Sequence, residues 1–452
     1  MLSKGPLSGV RALELAEIWA GPYCGALMGD MGAEVVKVEA IQRIGRGPIR
    51  PDPEAPGYPY DGPGERPWNR QANFNALSRN KVGLTLDLGS EEGRESFKDL
   101  VSVSDVVFTN YAYGVMDRLG LGYEELRKVK PDLIVLFTPG FGNTGPYKRF
   151  HSMGMAIDAL SGHSALRGYP DMDLSNNSLV HHPDAVGGVT AYFAICAALL
   201  YRARTGIGQF IDLSQAETFM PHLGEIFLEE QMTGQPRERR GNRHPEMAPH
   251  GCYPCVGEDK WVTMVIRNEG EWRSLCQIMS MPQLAEDERF STLAARLKNQ
   301  DELDDVIREW TTPRDNYEVF HLLQEKNIPA GPVFDCGADT MEDPHLQARD
   351  YFQVVTHPDA GTYPMSGPIW SFLDYDRSKV LNENEGEPMS NRREKRHEHA
   401  PMLGEHNAYL LGEVLGYSHE RMQELEERQV IGTVPLEGAD MGGVRRVQRE
   451  SR

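Results

Sequence analysis

The stretch GVRALELAEIWAGPYCGALMGDMGAEVVKVEA, residues 9–40, contains three hydrophobic patterns in succession. GVRALEL (9–15) is a short, largely apolar run of the length of a strand, and EVVKVEA (34–40) is rich in β-branched valine. Between them, residues 20–32 combine small and apolar side chains with Pro22, which is tolerated in the first turn of a helix. The stretch therefore predicts a strand, a helix and a second strand.

The same alternation continues through the first third of the chain. VGLTLDL (82–88), DVVFTN (105–110) and DLIVLFTPG (132–140) predict strands. Helices are predicted after Ser90, which is a suitable N-terminal cap, and over YEELRKV (123–129). Strand–helix–strand alternation with short connections implies a parallel sheet covered by helices, so the predicted fold class is α/β.

Composition and charge narrow the classes of function. The chain has 452 residues, 40% of them hydrophobic and 25% charged, which is ordinary for a soluble globular protein. Its net charge is −20, from 47 basic and 67 acidic residues, and such an excess disfavours nucleic acid or an anionic membrane as a partner. The six cysteines are sparse and irregularly spaced, which indicates reduced thiols rather than a disulfide framework.

One segment, Ala185–Tyr201, is apolar enough to be considered as a membrane span. It contains no charged residue, but its seventeen residues fall short of the roughly 20 that a bilayer requires. It also includes Gly187 and Gly188 and follows an acidic residue directly. We interpret it as a buried core helix. No apolar region of signal-peptide length occurs near residue 1, so we expect a cytoplasmic protein without a membrane partner.

The organisation of the chain changes after Gln209. Residues 217–234 predict a helix, a basic loop and a hairpin follow, and two amphipathic helices come next. We therefore predict a smaller α+β domain over 225–335, between an α/β segment over 1–224 and a last segment over 336–452. The Pro- and Gly-rich stretch 43–67 predicts an irregular surface loop.

Common cofactor and metal motifs are missing. Neither G-x-G-x-x-G after the first strand nor a P-loop sequence occurs. CYPC (252–255) is a single CxxC and is interpreted as two incidental thiols. The histidines show no spacing typical of metal ligands, and the set considered is His181, His182, His244 and His250. We expect no metal site and no permanently bound cofactor.

Asp184 stands immediately before the apolar segment. A carboxylate at the start of a helix accepts N–H hydrogen bonds and is stabilised as an anion by the helix dipole. Taken alone, the position is typical of an ordinary N-cap. Gly187 and Gly188 leave room beside it, and a charged carboxylate in a dry, roomy pocket can act as a nucleophile toward an activated acyl group.

Seven stretches in order over about 400 residues identify a family resemblance. They are AGPYCGALMGDMGAEVVKVEA, SRNKVGLTLDL, GVMDRLGLGYEELRKVKPDLI, GFGNTGPY, RARTGIGQFIDLSQAE, GNRHPEMAPHG and MLGEHNAYLLGEVLG. Together they resemble the class III CoA-transferases, the family of formyl-CoA:oxalate and carnitine CoA-transferases. The resemblance implies an interlocked homodimer, each subunit having a Rossmann-like domain built from both chain ends and an inserted smaller domain.

The resemblance also implies a mechanism. The family's nucleophilic aspartate falls on Asp184, which would form a covalent aspartyl intermediate while CoA passes from an acyl-CoA donor to a carboxylic acid acceptor. CoA thioesters would be substrates, and no metal or redox cofactor would take part.

Several further positions match residues that surround CoA in the family. Lys81, Asn110, Tyr111 and Arg118 match contact positions, and the two cations would supply positive charge for phosphates. Trp19 precedes AGP at a variable position of the active site, where it would shape the acyl pocket. His151 completes the residues expected around the bound thioester, and Ala40 stands where some members carry an arginine that contacts adenine, with Arg43 and Arg46 close by.

Two other functions remain open at this stage. Racemases of 2-methylacyl-CoA esters share the fold and need a second base, but His151 is displaced by about two positions from the expected place, which Met153 occupies. A nonenzymatic binder of CoA esters would keep Lys81 and Arg118 without needing Asp184. His181, His182, Arg202 or Arg204 would be the candidates to recognise a dicarboxylate such as succinate.

Overall fold

The computed structural model describes residues 5–47, 49, 56–178, 182–370 and 398–441. The chain forms two units. The larger contains residues 1–162, 179–227 and 348–452, and the smaller contains 163–178 and 228–347. Both ends of the chain thus belong to the larger unit. The domain boundaries predicted above, at 224 and 335, stay a prediction.

The larger unit is built on a parallel sheet of six strands. These are β1 (Arg11–Leu15), β2 (Glu34–Glu39), β3 (Lys81–Thr85), β4 (Val106–Thr109), β5 (Ile134–Phe137) and β6 (Phe210–Asp212). Their order is β3-β2-β1-β4-β5-β6, and every neighbouring pair is parallel. The predicted α/β class and the five predicted strands are confirmed. Strand β6 was not predicted, because it is only three residues long and half-exposed.

Helices of the larger unit connect its strands and cover both faces of its sheet, and further helices belong to the smaller unit. The helices of both units are numbered together along the chain. They are α1 (Ala20–Asp30), α2 (Ala72–Leu77), α3 (Glu91–Ser102), α4 (Val115–Arg118), α5 (Tyr123–Val129), α6 (Gly154–Leu160), α7 (His163–Leu166), α8 (His182–Thr205), α9 (Gln215–Phe219), α10 (Gly224–Thr233), α11 (Glu269–Ile278), α12 (Leu293–Lys298), α13 (Gln300–Thr311), α14 (Asn316–Gln324), α15 (Ala338–Glu342), α16 (Pro344–Ala348) and α17 (His419–Glu427). The predicted cap is confirmed, since the Ser90 hydroxyl accepts a hydrogen bond from the Gly93 N–H at 3.0 Å.

Alternation along the strands divides the core into two layers. Leu13 and Leu15 of β1 point into a cluster that also contains Leu410 and Leu425 from the last segment of the chain. Ala12 points to the opposite face, into the cluster beneath α1 and α8. The strands are apolar on both faces because a parallel sheet with helices on each side leaves neither face in water. Glu14 of β1 also points toward α1, and it is a buried charged residue on this otherwise apolar face.

The smaller unit contains a three-stranded antiparallel sheet, β7 (His250–Pro254), β8 (Trp261–Val265) and β9 (Ala330–Val333), in that order. Trp272, Leu303 and Val319 from its helices pack into one buried cluster against the sheet. The predicted hairpin and amphipathic helices are confirmed. Within the larger unit, an unpredicted hairpin joins β10 (Phe352–His357) to β11 (Gly361–Ser366).

Two expectations about burial were wrong. Helix α8 buries only one face, while Phe193 on the other face is 71% exposed and Leu200 is 54% exposed. Among the helices in the described ranges, only α8 is long and apolar enough to span a membrane. The core helix of a soluble protein can meet the same criteria of length and composition. The stretch from Arg43 is irregular, but it is not all on the surface, because Ile44 and Arg46 are buried.

Candidate active site

The order of the strands creates a crevice at one edge of the sheet. The chain runs outward in one direction from β1 and in the other from β4, so the connections that follow these two strands diverge. Ligands of open α/β sheets bind at such a switch point, beyond the carboxyl ends of the strands. Trp19 follows β1, whereas Asn110 and Tyr111 follow β4. The structure therefore brings three predicted site residues to this crevice.

Hydrogen bonds join the two connections across the crevice. The Asn110 side chain donates to the Glu17 carbonyl at 2.7 Å and accepts from the Glu17 N–H at 3.0 Å. The Glu17 carboxylate pairs with Arg43 through two hydrogen bonds, one of them 2.7 Å long. Burial raises the pKa of the Tyr111 phenol far above its ordinary value, and the nearby Glu17 carboxylate adds to this shift. Tyr111 therefore stays neutral in the crevice.

Asp184 lies in the first turn of α8, close to the beginning of a second helix. Its side chain is buried, with 9% of the residue exposed. A Cβ placed on Gly154, the first residue of α6, would overlap Asp184 Oδ2. Only a glycine thus allows the backbone of α6 to approach the carboxylate so closely. The role of Gly154 is not predictable from the local sequence, because the contact joins residues thirty positions apart.

The expectation that Gly187 and Gly188 make room for a substrate was wrong. A Cβ on Gly188 would stand 2.7 Å from the Ala20 carbonyl oxygen, and one on Gly187 would lie 3.8 Å from the Ala20 Cβ. Gly188 thus allows α8 to pack closely on the start of α1, whereas a side chain on Gly187 would make only ordinary van der Waals contacts. This packing brings the turn of α8 that follows Asp184 against the chain that follows Trp19.

The start of α9 and the segment before α6 both lie against the chain that leaves β5. Gln215 donates a hydrogen bond to the Thr138 carbonyl at 2.8 Å, which ties the start of α9 to the end of β5. A Cβ on Gly140 would overlap the hydroxyl of Ser152, so the segment before α6 lies tightly against the chain that leaves β5. The GFGNTGPY segment is one of the stretches that carry the family resemblance, but the resemblance did not predict these contacts.

The cations predicted to bind phosphates occupy different environments. Lys81 is fully buried, and its ammonium lies 2.7 Å from the Glu14 carboxylate. Arg118 is exposed at the end of α4, and His151 is exposed in the segment that precedes α6. Arg118 and His151 are therefore accessible to a phosphate. The predicted CoA contacts of Lys81, Arg118 and His151 stay predictions.

The arginines near Ala40 are already engaged with acids. Arg46 is buried, forms two hydrogen bonds with Glu39 at 2.7 and 2.5 Å, and stacks 3.8 Å from the centre of the Phe74 ring. Arg43 pairs with Glu17, as described above. A cavity of about 100 Å³ opens beside this cluster and the connection after β1; its lining includes Ile18, Lys37, Arg46, Asn73, Phe74 and Leu77.

The suggestion that Arg202 or Arg204 recognises a carboxylate beside Asp184 was wrong. Arg202 is eighteen residues further along α8, roughly 27 Å away at the helical rise of about 1.5 Å per residue. Its guanidinium instead pairs with Asp105 at 2.7 Å. His182 is exposed at the beginning of α8, and His181 lies outside the described residues.

The order of the parallel strands defines the fold class as a doubly wound, Rossmann-like α/β fold. Residues 7–407 match the sequence model of CoA-transferase family III. The chain belongs to this family, which confirms the resemblance seen in the sequence. It is accordingly a transferase related to enzymes that act on CoA thioesters.

Individual relatives match nearly the full chain. The succinyl-CoA–D-citramalate CoA-transferase of Chloroflexus aurantiacus is 32% identical over 94% of this chain and 98% of its own length. The succinate–glutarate CoA-transferase of Agrobacterium fabrum is 30% identical over 91% of this chain and 96% of its own. A solved CAIB/BAIF family protein from Brucella suis superposes with a TM-score of 0.76 at 30% identity, covering 91% of this chain and all of that one (100%).

Proposed function

We propose that this protein transfers CoA from an acyl-CoA donor to a carboxylic acid acceptor through a covalent intermediate on Asp184. The observation that carries the proposal is the burial of the Asp184 carboxylate against Gly154, at the beginning of two helices. Helix N-termini favour the anionic, nucleophilic form of a carboxylate. Burial among fixed dipoles limits the access of water, which would otherwise hydrolyse an activated aspartyl group.

The proposed reaction has four balanced steps. An Asp184 oxygen attacks the donor thioester carbonyl, the C–S bond breaks, and a mixed anhydride and CoA thiolate form. The thiolate attacks the aspartyl carbonyl and releases the donor as a carboxylate, leaving an aspartyl-CoA thioester. The acceptor carboxylate attacks that thioester and releases the thiolate, which then attacks the acceptor's acyl carbonyl and regenerates Asp184. No net proton transfer, oxidation or water is required.

Dicarboxylic acids are the proposed substrate class. Both relatives are named for succinyl-CoA or succinate together with a second dicarboxylate, D-citramalate or glutarate. We expect succinyl-CoA to be the better donor and dicarboxylates to be better acceptors than monocarboxylates of the same length. All six cysteines are free thiols, which agrees with the cytoplasmic location we propose.

Trapping the intermediate tests the covalent mechanism. Incubation with succinyl-CoA, without an acceptor, is expected to add the mass of CoA less one water to the peptide that contains Asp184. Hydroxylamine should convert the adduct to an aspartyl hydroxamate. The adduct should not form on an Asp184→Ala variant. Exchange of the α-proton of a 2-methylacyl-CoA, with no adduct and no CoA transfer, would instead indicate a racemase, and binding without either reaction would indicate a binder.

The assembly we propose is an interlocked homodimer, as the resemblance implies. The outward face of α8 carries Val189, Phe193 and Leu200, which are 39%, 71% and 54% exposed. They recur at helical spacing and form an apolar stripe, which is typical of a surface that another chain covers. A second copy of this chain is the occupant that the family relationship favours.

A charge placed in this stripe is expected to prevent the dimer from assembling. In Phe193→Glu, a carboxylate would have to be buried without a partner, so the variant should elute as a monomer at concentrations where the unmodified protein is a dimer. Val103→Glu is the matched control, because Val103 is 43% exposed but lies at the end of α3. Dimeric Phe193→Glu at micromolar concentration, measured by sedimentation, would contradict this role of the stripe.

A further inference from the structure

A cluster of three charged side chains lies inside the sheet of the larger unit. Glu14 of β1 is fully buried, and Lys37 and Lys81 approach it from β2 and β3. The Lys37 ammonium lies 3.0 Å from one Glu14 oxygen, and the Lys81 ammonium lies 2.7 Å from the other. A Cβ on Gly25 would overlap the Glu14 carboxylate, so α1 carries a glycine where it covers this triad.

Each lysine also holds a backbone carbonyl, one in the connection after β1 and one in the first turn of α1. Lys37 donates to the Ala16 carbonyl at 2.9 Å, and Lys81 donates to the Pro22 carbonyl at 2.8 Å. These two carbonyls enclose residues 17–21. The triad therefore attaches both ends of this short turn to strands β2 and β3 of the sheet.

The enclosed turn has a strained backbone. Ile18 has a φ of +69°, in the left-handed region that β-branched residues rarely adopt. Such a conformation persists only where the surroundings hold it, and it is concentrated at functional sites. Asn110 holds Glu17 from the other side of the crevice, so the turn is fixed by side chains from three other strands or their connections.

This turn packs against α8, the helix that carries Asp184. The Ala20 carbonyl is the atom that a Cβ on Gly188 would approach at 2.7 Å. Gly188 lies four residues after Asp184, on the same face of α8. A displacement of the turn is therefore transmitted to the face of α8 on which Asp184 lies.

We propose that Glu14, Lys37 and Lys81 are positioning residues that hold the 17–21 turn against the Asp184 helix in its reactive geometry. This inference rests on the proposed role of Asp184. It also gives Lys81 a role that differs from the phosphate contact predicted from the sequence. Its ammonium is directed at Glu14 and Pro22, inside the protein, and not at a solvent-accessible surface.

Stability alone does not explain the triad. Burial lowers the pKa of Lys81 to about 8, although the neighbouring Glu14 carboxylate opposes this shift. Loss of hydration therefore outweighs the attraction between the charges at this lysine. Buried ion clusters are often replaced by apolar side chains of similar size without loss of stability.

The test is a triple variant, Glu14→Met with Lys37→Met and Lys81→Met. We expect it to fold, with amide hydrogen exchange at residues 17–21 faster by about tenfold or more because the two carbonyls lose their donors. The rate of adduct formation on Asp184 should fall by on the order of 10²-fold, as for other small misplacements of reacting groups. The matched control is Asp30→Leu with Arg79→Met, which removes the buried ion pair at the other end of α1.

The outcomes separate this inference from the proposed function. A folded triple variant with unchanged exchange at residues 17–21 and an unchanged adduct rate would overturn the positioning role. Equal effects in the Asp30 and Arg79 control would also overturn it, since they would show a general loosening of α1. If the unmodified protein forms no adduct, the proposed function fails, while hydrogen exchange still tests the turn. Lys81→Met alone, which leaves the Glu14–Lys37 pair intact, supplies the same comparison if the triple variant does not fold.

Discussion

Asp184→Asn is expected to reduce CoA transfer by about 10⁴-fold or more, the scale of loss when a covalent nucleophile is removed. The amide has nearly the same size as the carboxylate, but it has no anionic oxygen to attack a thioester. The fold should remain intact, because the change removes a buried charge without creating a cavity. The measurement is CoA exchange between succinyl-CoA and a dicarboxylate, together with the midpoint of thermal unfolding.

Asp105→Asn is the matched control for this variant. Asp105, which precedes β4, pairs with Arg202 near the opposite end of α8. The control therefore weakens an ion pair that involves α8 and leaves the first turn of α8, with Asp184, unchanged. It should retain full exchange activity. A folded Asp184→Asn protein that keeps more than about one hundredth of the activity would exclude the covalent scheme, given the loss expected above.

Gly154→Ala is expected to lower the turnover number by on the order of 10²-fold, the scale reported for misplacement of a reacting group by about 1 Å. The added methyl group would overlap Asp184 Oδ2, and the carboxylate is the movable partner because it lies at the end of a side chain. The Asp184 carboxylate should therefore turn away while the helices keep their places. Alanine is also the better helix former, by about 1 kcal/mol, so the unfolding midpoint should not fall steeply.

The control for this prediction is Gly224→Ala. Gly224 is likewise the first residue of a helix, α10, but nothing lies within 4 Å of the position its Cβ would take. It should behave like the unmodified enzyme in turnover number and in KM for succinyl-CoA. Unchanged turnover in Gly154→Ala would show that the Asp184 orientation seen here is not the one used in the reaction.

Much of the fold was predictable from the sequence because its signals are local. The apolar runs of β1, β2 and β4 and the Ser90 cap of α3 lie in single short segments. A helix start near Asp184 was predicted for the same reason, since an acid directly before an apolar segment is typical of a helix N-terminus, although α8 begins two residues before Asp184, at His182. Family resemblance then supplied the nucleophilic role proposed for Asp184, because the local sequence taken alone favours an ordinary N-cap.

The environment of each candidate residue was decided only by the tertiary structure. From its neighbours in the sequence, Lys81 is expected to be a surface cation at the start of a strand. The strand order instead places it against Glu14 in the interior. Gly188 permits helix packing and not substrate entry, and Gly154 reaches Asp184 from a separate helix. The sequence by itself thus determined the first five strands of the parallel sheet, several of the helices, and the carboxylate near the start of α8. Which charges are buried, paired or exposed depends on contacts between distant segments, because burial and pairing are properties of the surroundings and not of a residue's neighbours in the chain.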